Sequence, residues 1–168
     1  MLVSASGCIN IPGSGPPAEW YPLRRELSVD DLKGVRASFT PALSGNYAVT
    51  LNFPQPMEDP QARDLVNKAA SGVGIDEAPA RFDFEWRVLD ADKLIARGTG
   101  QEGATGTIDT GSSGLGGGPL KSRALAFGEF TAEAGRHYTI ELKVGSEFAP
   151  VMRGKPQLEV RLDPTSRR

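Results

Sequence analysis

The stretch from Phe82 to Val88 constrains the fold of this chain more than any other, because apolar and charged residues alternate along it without interruption. Alternation at a period of two places the apolar side chains on one face of a β-strand and the charged ones on the other. The predicted buried face holds Phe82, Phe84, Trp86 and Val88, and the wet face holds Asp83, Glu85 and Arg87. An amphipathic helix would space apolar residues by three and four. We therefore predict an antiparallel sheet that is wet on one side, since central strands of parallel sheets are apolar on both faces.

Further segments along the chain show the same alternation, and turn residues separate them. Pro41 to Gly45 has the composition of a hairpin turn, and Asp90 to Lys93 is a second turn. The segments predicted to be strands are 35–39, 45–53, 82–88, 94–97, 125–130, 138–144 and 158–162. Residues 19–27 carry a weaker signal at the edge of the domain. The pattern predicts an all-β, antiparallel sandwich of immunoglobulin-like or jelly-roll type with about seven to nine strands.

One short α-helix interrupts the predicted strands. Asp59 followed by Pro60 has the form of an N-cap and a first helical residue. One helical face then carries Ala62, Leu65, Val66 and Ala69, and Gly72 supplies a stop. The run from Gly98 to Pro119 is so rich in glycine that we expect it to be mobile, because it offers little side chain to offset the entropy of ordering.

Two parts of the chain resemble each other. Phe39 precedes Gly45 and Tyr47, and Phe130 precedes Gly135 and Tyr138 with the same separation between the two aromatic residues. This echo predicts two similar antiparallel corners in one sandwich. In each, a glycine would take the positive-φ position and an aromatic residue would open the next strand.

Length and composition narrow the class of protein. A chain of 168 residues predicts one domain, which we place at residues 19–168. Its 20 glycines and 13 prolines fit many short strands joined by turns. A net charge of −2 spread over both signs gives no basic stripe, so nucleic acid is not an expected partner. A single cysteine excludes an intramolecular disulfide and a multi-cysteine metal cluster.

The N-terminal residues resemble the end of a bacterial lipoprotein signal. Ala5, Ser6 and Gly7 are small and precede Cys8, the residue that would be exposed by cleavage and lipidated. Residues 1–7 are then a remnant of the signal, and residues 8–18, rich in Gly, Pro, Ser and Asn, form a flexible tether. The alternative is an ordinary disordered N-terminus with an inert thiol. Lipidation would tie the protein to a membrane through Cys8.

No set of residues in the sequence dictates a catalytic activity. A hydrolase triad needs a nucleophile, a base and an orienting group, and the single histidine, His137, is predicted to face solvent at a strand end. Three carboxylate groupings could in principle hold calcium or form a glycosidase pair, but all lie in predicted turns: Asp30 with Asp31, Asp76 with Glu77, and Asp90 with Asp92. We therefore expect a protein that is not an enzyme and has no cofactor and no metal.

Binding is the expected occupation, and two surfaces are candidates. The ends of rigid hairpins, at residues 54–59 and 147–152, are predicted to contact a protein partner through Phe148, Val151, Met152 and Arg153. In the alternative, Phe148 and Val151 close the bottom of the core. Trp20 and Tyr21 are the aromatic residues predicted to be exposed, and they could stack on sugar rings.

From about Arg24 to Pro164, the chain resembles an uncharacterised family of small bacterial envelope lipoproteins with a β-sandwich domain. The matching features are Gly45 with Tyr47, the 63–66 segment, the corner from Gly135 to Tyr138, and a last strand that runs into Asp163-Pro164. The resemblance implies a lipid-anchored protein on the periplasmic side of the bacterial envelope.

Resemblance, size and predicted address together favour a non-catalytic protein that binds a protein partner. The favoured hypothesis is an immunity protein that inhibits an interbacterial toxin, such as a secreted lipase. The alternative is an envelope module that binds carbohydrate or another ligand.

Overall fold

The structure, a computed structural model, describes residues 17–53, 59–64, 83–100, 110–112, 120–163 and 165. Nine β-strands account for most of these residues. The strands are β1 (Leu23–Glu26), β2 (Val35–Phe39), β3 (Gly45–Phe53), β4 (Phe84–Asp90), β5 (Lys93–Gly100), β6 (Thr110–Ser112), β7 (Leu120–Ala132), β8 (Tyr138–Val144) and β9 (Gln157–Leu162). Cys8, the predicted tether up to residue 16, and most of the glycine-rich run lie outside the described residues.

The strands form two antiparallel sheets whose inner faces share one apolar core. The five-stranded sheet has the order β1-β9-β3-β7-β6, and the four-stranded sheet has the order β2-β8-β4-β5. Fully buried side chains come from both sheets, among them Tyr47, Leu51 and Phe53 on β3 and Ile140 and Leu142 on β8. The predicted all-β sandwich is therefore confirmed.

The alternation that opened the sequence analysis is present in β4. Trp86 and Val88 are buried, and Phe84 is half-buried against the core. Glu85 and Arg87 point to solvent on the other face. The turn after Asp90 leads into β5, which pairs back along β4 as predicted. Phe82 lies outside the part of the chain that the structure describes.

The prediction of a hairpin at Pro41 to Gly45 is wrong. β2 pairs with β8 in one sheet, whereas β3 pairs with β7 and β9 in the other, so this turn carries the chain between sheets. The turn that joins β7 to β8 crosses in the same way. Turn composition does not distinguish the two connections, because both need a tight reversal of the chain. The two corners expected from the sequence echo are both present.

Four aromatic rings lock the two corners together. Phe39 stacks on Tyr138 with ring centroids 5.6 Å apart, and Tyr47 stacks on Phe130 at 6.0 Å. Phe39 and Phe130 meet edge to face at 6.0 Å, which joins the two pairs. The offset and edge-to-face arrangements are those that aromatic quadrupoles favour. The four residues that generate the echo thus form one cluster at the end of the core.

Hydrogen bonds join the backbones of the same two corners. The N–H of Gly135 donates to the carbonyl oxygen of Pro41 over 2.8 Å, and the N–H of Ala134 donates to Oγ of Ser44 over 2.9 Å. Gly135 has the expected positive φ of 77°. Gly45 does not, because it is already part of β3.

Helical segments close the other end of the sandwich. A helix, α1, occupies residues 60–64 as predicted, and Oδ1 of Asp59 accepts hydrogen bonds from the N–H groups of Gln61 and Ala62. Leu65, Val66, Ala69 and Gly72 lie outside the described residues. A second helix, α2 (Ala149–Arg153), follows the 3-10 turn Ser146–Phe148 where the sequence predicted the end of a hairpin. No helix in the described part of the chain is long and apolar enough to cross a membrane.

Candidate functional site

The structure places three of the four predicted partner-binding residues in the core. Phe148, Val151 and Met152 are at most 1% exposed. The 3-10 turn runs directly into α2, and residues separated by three and four positions on such a helical segment share one face. That face is turned inward, so the alternative in which Phe148 and Val151 close the core is correct. Their assignment to a partner surface is wrong.

Arg153, the fourth predicted residue, is exposed but already has a partner within the protein. Its Nε and Nη2 donate to Oδ2 of Asp59 over 3.1 and 2.9 Å, and Nη2 also reaches Oε1 of Gln61 at 3.3 Å. Hydrogen bonds from Arg153 and from the backbone of α1 hold the pKa of Asp59 below its usual value of 3.8. Arg153 therefore ties α2 to the start of α1.

The two aromatic residues considered for sugar stacking are not open platforms. Trp20 is half-buried against the core, with its indole nitrogen inaccessible to solvent. The guanidinium of Arg24 lies 3.6 Å from the centre of the Tyr21 ring, and that of Arg161 lies at 5.9 Å. A cation on an aromatic face is a favourable contact that a sugar ring would have to displace. The prediction that Trp20 and Tyr21 are exposed is therefore wrong, because both are half-buried.

Most of the remaining polar candidates have polar partners within the protein. His137 is exposed, and its Nδ1 lies 3.3 Å from Oγ1 of Thr40. Asp31 pairs with Arg25 at 2.7 Å, and Asp90 pairs with Arg136 at 3.0 Å. No group of three or more metal-ligating side chains occurs among the residues that the structure describes. Asp76 and Glu77 lie outside them.

The structure does bring charged residues together on the outer face of the four-stranded sheet. Four residues lie opposite one another across its strands, and we call them the arginine row: Arg36 on β2, Glu141 on β8, Arg87 on β4 and Arg97 on β5. Glu141 is paired with Arg36 at 3.3 Å on one side and with Arg87 on the other. Arg97 faces Arg87, and no carboxylate pairs with it among the described residues.

An exposed apolar patch borders the arginine row where β4 turns into β5. We call it the apolar corner, and it consists of the exposed Leu94 and Ile95 together with the half-buried Leu89. Leu94 and Ile95 are 45% and 37% exposed; the only other large apolar residue exposed to this degree in the described ranges is Val29. A bulge in β5 lies within this patch. Val88 is opposite Ala96 and Leu89 is opposite Leu94, which leaves Ile95 as an extra residue on β5.

A groove continues the same face at its opposite end. It has a volume of about 610 Å³ and is lined by Asp83, Phe84, Glu85, Thr99, Lys143, Val144 and Gly145. Glu85 and Lys143, which face each other on neighbouring strands, also border the arginine row. The outer face of the four-stranded sheet therefore runs from an apolar corner through a basic row to a groove of mixed polarity.

Comparison with known proteins informs the fold alone. No protein-family model and no curated protein sequence matches this chain. A crystal structure of a protein from Sulfurospirillum deleyianum is similar over 84% of this chain and 97% of that chain, with a TM-score of 0.50 and 14% identity. A β-glucosidase from Kluyveromyces marxianus aligns over 77% of this chain but only 11% of that enzyme, with a TM-score of 0.28 and 15% identity. The first similarity supports the sandwich, and the second is too low to carry weight.

Sequence reasoning missed the arginine row although it placed Arg87 on the wet face. The missing signal was the register between β4 and β5. A hairpin without a bulge would pair different residues, and the bulge at Ile95 is what sets Arg97 opposite Arg87.

Proposed function

We propose that this domain is a non-catalytic protein-binding module anchored on the periplasmic side of a bacterial envelope. In this proposal it acts as an immunity protein and inhibits an interbacterial toxin. The contact surface is the outer face of the four-stranded sheet, centred on the apolar corner and on Arg97. This surface replaces the cluster at residues 148–153.

One observation carries the proposal: on one rigid sheet, large exposed apolar side chains adjoin Arg97, which has no carboxylate partner among the described residues. Leu94 and Ile95 leave apolar area in water, which is unfavourable unless a partner covers it. Arg97 stands beside them, and arginine is among the residues enriched at the centres of protein interfaces. Because the face is built on paired strands, little backbone entropy is lost on binding.

The proposed location in the cell envelope rests on the N-terminal sequence. A lipoprotein cysteine carries more than one acyl chain, and stable anchoring needs at least two membrane signals. The test is to express the full precursor with its own signal and to fractionate the cells. We expect the protein in membranes that have been washed with salt and expect the Cys8→Ser variant to be soluble. Retention of that variant with the membranes would contradict the lipid anchor.

The inhibitory role is tested by searching the genes that neighbour this one for a secreted effector and by using that effector as the toxin. Cells that make the effector in their periplasm should survive when the wild-type protein is co-expressed. Leu94→Ser should weaken protection, and Val29→Ser is the matched control because it removes an equally exposed apolar side chain from the 3-10 turn Val29–Lys33. Equal protection by both variants would remove the apolar corner from the contact surface. The absence of any neighbouring effector would contradict the immunity role.

A further inference from the structure

The two edges of the four-stranded sheet differ. At the β2 edge, Nη1 of Arg25 donates to the backbone carbonyl oxygen of Arg36 over 3.0 Å, so a side chain of the same protein already occupies this position. At the other edge, β5 pairs with β4 alone among the strands that the structure describes. A strand with free backbone N–H and C=O groups is a template for another strand. Among the described residues, β5 is thus the edge that is open for addition.

Charges along the arginine row show what chemistry would suit a strand at that edge. Across the sheet the row reads as a cation, an anion and two adjacent cations, with Arg97 at the edge. Directly opposite side chains in an antiparallel pair have Cβ atoms about 5 Å apart, and like charges at that distance destabilise the sheet. Glu141 is held between Arg36 and Arg87 and does not compensate Arg97. A carboxylate on an added strand, opposite Arg97, would continue the row with the opposite sign.

The apolar corner supplies the second contact on the same side of β5. Leu94 and Ile95 face the outside of the sheet next to Arg97, so one face of an added strand meets an apolar region and then a cation. A complementary strand carries an apolar residue and an acidic residue at alternate positions, because these positions share one face. Two carboxylates, Glu85 and Glu141, lie on the same face. Their negative charge would repel a continuous polyanion such as nucleic acid.

We propose that an extended acidic segment of a partner protein adds to β5 as a further strand of the four-stranded sheet, with a carboxylate on Arg97 and an apolar side chain on Leu94 and Ile95. This inference rests on the proposed protein-binding function, and it names the chemistry and the mode of the contact. Backbone hydrogen bonds along β5 provide affinity, and the two side-chain contacts provide the register.

The test uses disulfide-cyclised hairpin peptides, which are already ordered as strands. In the acidic hairpin, glutamate and leucine occupy one face of the outer strand and threonine the other; the basic hairpin has lysine in place of glutamate. Binding to the whole domain is followed by NMR. We expect the acidic hairpin to shift and protect amides of β5 and to bind about five- to tenfold more tightly than the basic hairpin. Arg97→Glu should reverse this preference. Arg63→Glu on α1, an exposed arginine that belongs to neither sheet, should leave this preference unchanged.

Three outcomes would overturn the inference: equal binding of the two hairpins, amide shifts confined to other strands, or tighter binding to anionic vesicles or duplex DNA than to the acidic hairpin. The peptide test needs no toxin, so it is independent of the proposed inhibitory role. If the hairpins behave as expected but no effector is inhibited, strand addition stands and the immunity role fails. If protection is seen and Arg97→Glu retains it fully, the immunity role stands and this inference fails.

Discussion

Trp86 on β4 donates a hydrogen bond from its indole nitrogen to the backbone carbonyl oxygen of Phe127 on β7, over 3.2 Å, and so connects the two sheets through the core. Phe127 is the extra residue of a bulge, since Val49 is opposite Gly128 while Thr50 is opposite Ala126. A bulge interrupts the ladder and leaves a backbone group without its strand partner. Trp86 supplies a donor to this buried carbonyl group, which would otherwise be costly to remove from water.

We predict that Trp86→Phe lowers the free energy of unfolding by about 1–3 kcal/mol, because it leaves the carbonyl of Phe127 buried without a donor. Urea denaturation measures this loss. Glu85→Ala on the wet face of the same strand is the control, and it should change stability by no more than about 0.5 kcal/mol. A Trp86→Phe variant as stable as the wild type would show that the hydrogen bond has no net value.

Two glycines make room for the same indole. A Cβ on Gly128, or on Gly98 opposite Trp86 in β5, would overlap ring atoms of the tryptophan. Gly128→Ala should therefore cost about 1–3 kcal/mol in the wild-type background, as overpacking of cores does. It should cost clearly less when combined with Trp86→Phe, whose ring is smaller. Additive effects in this double-mutant cycle would mean that the glycine and the indole do not interact.

Much of the fold could be predicted because side-chain period and burial are coupled in sheets. The alternation from Phe84 to Val88 placed each side chain on the correct face, and the echo of Tyr47 and Tyr138 located both corners. The sequence did not reveal which sheet each strand joins. The turn at Pro41 to Gly45 reverses the chain in either topology, and the crossing is accompanied by strand pairing and aromatic packing between residues far apart in sequence.

A pH dependence of stability is predicted from Tyr47. Burial raises the pKa of its phenol above the usual 10.0. The hydroxyl also donates a hydrogen bond of 2.7 Å to the carbonyl oxygen of Leu43. The folded state holds the proton more tightly, so the stabilisation is complete below pH 10.0 and is lost as the pH rises towards the folded-state pKa. Tyr47→Phe should lose about 0.5–1.5 kcal/mol at neutral pH. The variant should then decline less steeply in alkali than the wild type, and parallel curves would contradict this.

The ion pair between Asp59 and Arg153 predicts the opposite pH dependence. The folded-state pKa of Asp59 lies below 3.8, so the stabilisation from this carboxylate is present above that pH and is lost as the pH falls through the folded-state value. Asp59→Asn should lower the melting temperature at neutral pH, and the difference from the wild type should shrink in acid. Asp92→Asn, an exposed carboxylate in the β4–β5 turn, is the control. A difference that does not change with pH would exclude the ion pair as its cause.

The candidate site was harder to predict from the sequence than the fold was. Residues 148–152 have the composition of an interface centre, but the same residue types form cores, and helical spacing turned Phe148, Val151 and Met152 inward. The outer face of the four-stranded sheet depends on a strand register that a bulge shifts by one residue. Composition therefore indicated which residue types are typical of an interface. The pairing of strands decides which of these residues meet at the surface.

The last prediction compares two arginines of the arginine row. Removing the charge of each should change the free energy of unfolding, with opposite signs for Arg87 and Arg97. Arg87→Gln removes the pair with Glu141 and should lower the free energy of unfolding, by no more than about 1 kcal/mol since the pair is partly exposed. Arg97→Gln removes a like charge opposite Arg87 and should raise it by a few tenths of a kcal/mol. Denaturation at low and high salt measures both, and salt should reduce both effects. A residue whose removal stabilises the free domain but weakens partner binding is placed for binding. If Arg97→Gln instead destabilises the domain, Arg97 is a structural residue of the sheet, and the strand-addition site loses its anchor.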